Sequence, residues 1–167
     1  MRRANVRSAT RMRAACAIAA AATAPNPKPL LAIAERHARE LERERHYSVI
    51  ANIAKAELLR AGIAATRGNE ATALDYLSLA IDRFQECGSA FWHALALRRK
   101  GQVLGGSEGL ALVRQADEWM AREHIVNPAA MTAAFIPGFP VCGEIRHTLE
   151  IRTPLGMRAP IPSPDTP

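Results

Sequence analysis

The chain has 167 residues, 49% of them hydrophobic but only 5% aromatic, with 22 Lys and Arg against 16 Asp and Glu. That length suits one ordinary domain and leaves little room for a second, and a core short of aromatics must be built from aliphatic and alanine contacts that each bury little area. The formal charge of +6 is unevenly placed: residues 1–24 carry Arg2, Arg3, Arg7, Arg11 and Arg13 with no acid, residues 25–126 carry 14 basic and 13 acidic side chains, and the remainder has three of each. A terminal excess on a balanced body argues against an extended phosphate-binding surface.

Residues 4–23 predict an alanine-rich helix that ends before Pro25 and Pro27. Its first residues, rich in arginine and free of acids, also match a cleavable targeting peptide. The preferred reading is a terminal repeat helix, and Ala14–Ala24 is too short to span a membrane. The next helix is expected over Pro29–Arg45, with Leu30, Ile33, Ala34, Ala38 and Leu41 as its apolar face. Glu35 and Arg39 stand four apart, as do Arg36 and Glu40, so opposite charges can meet on a solvated side.

Residues 47–124 read as two helical hairpins in series. Tyr47–Arg67 is the first helix, with Ile50, Ile53, Ala54, Leu58, Ala61 and Ala65 apolar and Asn52, Lys55, Glu57, Arg60 and Arg67 polar. Gly68-Asn69 turns the chain, and Glu70 sits where the next helix dipole favours negative charge. That helix returns on Ala73, Leu74, Leu77, Ala80, Ile81 and Phe84. Gly88-Ser89 separates the hairpins, with Ser89 a candidate N-cap. Residues 90–104 pack through Phe91, Leu95 and Val103, and Arg98-Arg99-Lys100 is expected on a solvated edge. Gly105 and Gly106 end this helix, and Ser107 is expected to cap the next, whose stripe is Leu112, Ala116, Trp119 and Met120. Ala73, Leu77 and Ala80 recur 36 residues later as Gly109, Val113 and Ala116. Small residues at matching positions let neighbouring helices approach closely in a helical array. Asn127-Pro128 predicts a capped short helix to Ile136, with Met131 and Phe135 folding back on the last hairpin.

Beyond Phe139, prolines at 140, 154, 160, 162, 164 and 167 predict a flexible Pro-rich tail over 140–167, following a repeat domain over 1–139. Cys16, Cys87 and Cys142 form no CxxC pair, and an odd number favours a reducing, cytoplasmic setting. The five histidines lack metal-ligand spacing. Gly105-Gly106-Ser107-Glu108-Gly109 lacks the lysine and the preceding strand of a phosphate loop. Glu118, Glu123 and His124 do not by themselves support acid–base chemistry.

The stretches LERERHYSVIANIAKAELLRAGIAATRGNEATAL, GGSEGLALVRQADEWM and NPAAMTAAFIPGF resemble the C-terminal tetratricopeptide-like region of large bacterial signalling proteins. The resemblance is greatest to myxobacterial serine/threonine kinases with an ATPase module, and it covers residues 28–139. It places Ala73 and Ala80 at the small positions of a repeat's second helix and Leu77 at the bulky one. Glu57 and Ala61 depart from the aromatic and glycine usual in the first helix. It implies a regulatory array without kinase activity, because the kinase Gly-rich loop, HRD and DFG elements and the ATPase phosphate loop are missing from this chain.

The expectation is an all-α, tetratricopeptide-like stack of antiparallel hairpins acting as a noncatalytic protein-interaction or regulatory module. It needs no cofactor, metal or membrane and binds a protein or peptide partner. Asn52, Lys55, Arg60, Arg98 and Arg99 are the candidate partner-binding residues, and Ala73, Leu77, Ala80, Gly109, Val113 and Ala116 the structural contacts. Two alternatives are a kinase C-terminal fragment whose catalytic domain lies outside this chain, and weak nonspecific nucleic-acid binding through the N-terminal arginines.

Overall fold

The computed structural model describes residues 2–44 and 48–139, with side chains from residue 9 onward, and every regular element among them is a helix. In chain order these are α1 Arg2–Ala21, α2 Lys28–Arg43, α3 Val49–Thr66, α4 Glu70–Glu86, α5 Ala90–Leu104, α6 Gly106–Arg122 and α7 Pro128–Phe135. Each of α1 to α6 packs on its successor, α1 also reaches α3, and α7 returns to α5 and α6. Sequential pairing with short connections is the order expected of antiparallel helical hairpins. The Pro-rich tail, Cys142, His147 and the side chains of Arg2, Arg3 and Arg7 lie outside the described residues.

Local chemistry sets most boundaries. Ser48, Asn69 and Asn127 each accept a backbone N–H three residues on, at 3.3, 3.1 and 2.9 Å, satisfying donors that a helix start leaves open. Gly68 and Gly88 follow α3 and α4 with φ of 75° and 68°, the left-handed conformation that closes a helix cheaply only at glycine. Two starts differ from expectation. Ser89 occupies the N-cap of α5 without a side-chain bond. The cap of α6 is Gly105 rather than Ser107, because the helix already begins at Gly106.

Two apolar cores share α3. One joins Ala14, Ala17, Ile18, Leu31, Ala34, Ala38 and Leu41 of α1 and α2 to Ala56, Leu59 and Ile63 of α3. The other joins Ala54, Leu58 and Ala61 of α3 to α4, α5, α6 and Ile136. A helix packed on two sides has little surface left for polar residues. Asn52 and Glu57, read from sequence as polar-side residues, are accordingly 7% and 5% exposed.

Three further assignments need correction. On α2 the buried face uses Leu31 and His37, whereas Ile33 is exposed, so the apolar stripe is rotated by part of a turn. Arg98 and Arg99 do not lie on a solvated edge but are buried, because α6 and the segment after α7 close over that side of α5. Glu40 meets His37 Nδ1 at 2.8 Å, where the sequence suggested Arg36. The other expected pair forms, with Arg39 Nε 3.3 Å from Glu35 Oε1.

Ala73, Leu77 and Ala80 are fully buried, as is Ala116 to within 1%. Gly109 faces Gly101 across the α5–α6 crossing, and a Cβ on either would overlap the other's carbonyl oxygen. Val113 Cγ2 would stand 3.0 Å from a Cβ on Gly101. Here two helix backbones touch directly, a contact open only to glycine.

Candidate interaction face

Helices α1, α3 and α5 contribute side chains to one face on which cations lie over aromatic rings. Trp92 of α5 is its centre. The Arg11 guanidinium of α1 lies 4.9 Å from the Trp92 ring centroid and 4.9 Å from that of Phe135, and Lys55 Nζ of α3 lies 5.5 Å from Trp92. Phe91, Trp92 and Phe135 meet edge-to-face at 5.4–5.6 Å, and Phe84 stacks on Trp92 at 6.0 Å. The negative ring faces attract the cations, while the edge-to-face contacts fix ring orientation. Burial holds the Arg11 guanidinium below the usual arginine range, and its Nη1 is buried without a hydrogen-bond partner among the described residues.

Next to this cluster the chain after α7 crosses the same face. Ile136 is 1% exposed, and its carbonyl accepts from Arg99 Nη2 at 2.7 Å. Arg99 Nη1 donates to Gln102 Oε1 at 2.9 Å, and its guanidinium lies 4.8 Å from the Phe139 ring centroid. Desolvation, with Arg98 alongside, pushes Arg99 down to about 10. The Thr66 hydroxyl donates to the Gly62 carbonyl of its own helix at 2.8 Å and reaches the Gly138 carbonyl at 3.2 Å. Gly62 admits the Pro137 carbonyl oxygen where a Cβ would collide with it. Beside this crossing a cavity of about 280 Å³ is lined by Ala65, Ala73, Arg99, Gln102, Val103 and Phe139, with Glu70 and Gly68 at its edge.

The five candidate partner-binding residues separate on the structure. Lys55 and Arg99 belong to this face. Asn52 is buried, and its Nδ2 has no hydrogen-bond partner among the described residues. Arg60 is engaged with α2, bonding Glu42 in a two-pronged pair that includes Nη2–Oε2 at 2.8 Å, and Glu35 at 3.4 Å. These acids raise the Arg60 pKa, and Arg60 in turn lowers that of Glu42. Arg98 Nε donates to Asp117 Oδ1 of α6 at 2.7 Å. A fourth interhelical pair joins Arg83 of α4 to Glu57 of α3. Burial outweighs that partner and raises the Glu57 carboxyl above its ordinary range.

Sequence reasoning missed Arg11, Trp92, Thr66 and Gly62 as one site. Phe135 and Phe139 were visible only as apolar residues near a helix end. The signal available was the pairing of Phe91-Trp92 with Phe135 in a chain so poor in aromatics. Among the described residues no three His, Cys, Asp or Glu side chains gather as metal ligands, and no helix is long and apolar enough to cross a membrane. Glu118, Glu123 and His124 are exposed. Comparison with family models, with curated proteins and with solved structures gave no match to this chain.

Proposed function

We propose that this chain is a noncatalytic interaction module of tetratricopeptide-like design, working in the reducing cytoplasm, and that the α1/α3/α5 face receives an extended segment of a partner protein. The observation that carries this reading is the occupation of that face by residues 136–139, whose carbonyls meet Arg99 and Thr66 from two different helices. Side-chain donors that reach main-chain acceptors suit a surface for an extended polypeptide. The aromatic floor of Phe84, Phe91 and Trp92, with Arg11 and Lys55 above it, supplies broad contact area and directional attraction. The resemblance to the regulatory ends of bacterial kinases agrees with a positioning role, and kinase chemistry would belong to sequence outside this chain. Inward docking of Arg11 onto Trp92 and Phe135 removes one of the five N-terminal arginines from any phosphate-binding set, so the nucleic-acid reading is the weaker one.

Site-specific photo-crosslinking distinguishes the faces. A crosslinker at Lys55 should yield discrete protein adducts in expressing cells, whereas one at exposed Leu79 of α4 should not. Equal adducts from both positions, or none from Lys55 in a folded chain, would refute the assignment.

A further inference from the structure

Residues 135–139 run along the face formed by α1, α3 and α5, and their contacts there constrain the residue at each position. Ile136 is the buried anchor. Gly138 has φ +96°, and a Cβ there would come within 2.5 Å of Ile18 Cγ2 and 2.8 Å of Thr66 Oγ1. Only glycine combines that conformation with that proximity. Pro137 sets an extended approach and lacks an N–H that would need a partner, while its carbonyl fits against Gly62. The aromatic ends are each covered by a cation, Phe135 by Arg11 and Phe139 by Arg99. Backbone contacts hold the segment whatever its side chains, and the anchor, the glycine and the two aromatics select its sequence.

We propose, building on the interaction-face reading, that Phe135-Ile136-Pro137-Gly138-Phe139 is a ligand bound in cis, and that the partner carries a segment of the same aromatic–aliphatic–Pro–Gly–aromatic pattern that binds by displacing it. The short α7 is tethered through Glu123–Asn127, where His124 has φ 59° and Val126 is 98% exposed. A short tether gives the cis segment an effective concentration on the order of millimolar. A partner peptide must therefore compete, and its apparent affinity falls by the fraction of molecules with the site vacant. The cis segment thereby sets a threshold for binding.

The test uses the full chain with Trp119→Phe, so that Trp92 is the remaining tryptophan, and a capped fluorescent peptide of sequence AAFIPGF. Gly138→Val expels the cis segment by collision and by its φ, and Ile136→Ser does so by removing the anchor; circular dichroism selects whichever variant stays helical. The peptide should bind the released chain roughly tenfold or more tighter than the parent, as a site vacant about a tenth of the time requires. It should also restore parent-like Trp92 emission. Adding Gly62→Ala to the released chain, or replacing the peptide's glycine by valine, should abolish binding. Equal affinity for parent and released chains, indifference to Gly62→Ala, or equal binding of a scrambled peptide would overturn the proposal. Sedimentation that shows the parent as a dimer exchanging this segment would overturn the separate-partner assignment in favour of a second copy. If the peptide fails while Lys55 still crosslinks selectively, the recognition pattern is wrong and the interaction face stands; if both fail, the face itself is wrong.

Discussion

The Gly101–Gly109 crossing offers the sharpest test of how α5 and α6 are joined. Replacing Gly101 by alanine places a Cβ 2.5 Å from the Gly109 carbonyl oxygen and 3.0 Å from both Leu112 Cβ and Val113 Cγ2. The first neighbour is backbone, so relief requires the helices to separate rather than a side chain to turn. Overpacking of this kind costs about 1–3 kcal/mol, while alanine in a helix interior returns about 1 kcal/mol relative to glycine. The net expectation is a loss of up to about 2 kcal/mol, and each 1 kcal/mol corresponds to about 2–4 °C in Tm for a chain of this size. Urea and thermal unfolding followed at 222 nm measure it. The double variant Gly101→Ala, Gly109→Ala should cost less than the sum of the singles, because the first substitution already opens the gap that the second needs. Gly68→Ala is the control: its φ of 75° carries a backbone penalty, but nothing lies within 4 Å, so its effect should add to that of Gly101→Ala. Stabilisation by Gly101→Ala, as helix propensity alone dictates, or strict additivity of the pair, would refute the close crossing.

Three other contacts, Arg83–Glu57, Arg60–Glu42 and the Asn127 cap, each give an expected outcome. Arg83→Met strands the buried Glu57 carboxylate and should cost about 3 kcal/mol at pH 7. Because the Glu57 pKa is already raised in the fold and rises further without Arg83, the deficit should appear as pH climbs above the ordinary carboxyl range and shrink toward pH 4 in chemical unfolding; a pH-independent deficit would contradict it. Glu42 has the opposite sign: Arg60 depresses its folded pKa, so its stabilisation is present above the unfolded pKa and is lost as pH falls through the folded one. Glu42→Gln should therefore flatten the acid limb of the stability profile, and an unchanged limb would rule out the pair as a contributor. Asn127→Ala removes the cap on Ala130 N and should cost about 1 kcal/mol, seen as faster amide exchange within α7 while α3 is unaffected; uniform acceleration through the chain would show that α7 does not open separately.

The helices and their order are legible along the chain without any tertiary information. Capping asparagines, breaking glycines and 3.6-residue periodicity are local signals, and they placed α1 to α7 to within a few residues. Ala73, Leu77 and Ala80 were equally legible, since a small–large–small face has little use except close helix contact. Which charges are buried and which face is shared depends on how the helices pack. Arg98 and Arg99 read as a wet edge because periodicity reports one helix at a time, whereas their burial arises from α6 and from a segment that returns from beyond α7. Arg11, Thr66, Trp92 and Phe139 are dispersed along the chain and carry no common spacing. They share one face only because the packing of the helices sets α1, α3 and α5 side by side and because Gly62 and Gly138 let two backbones touch there.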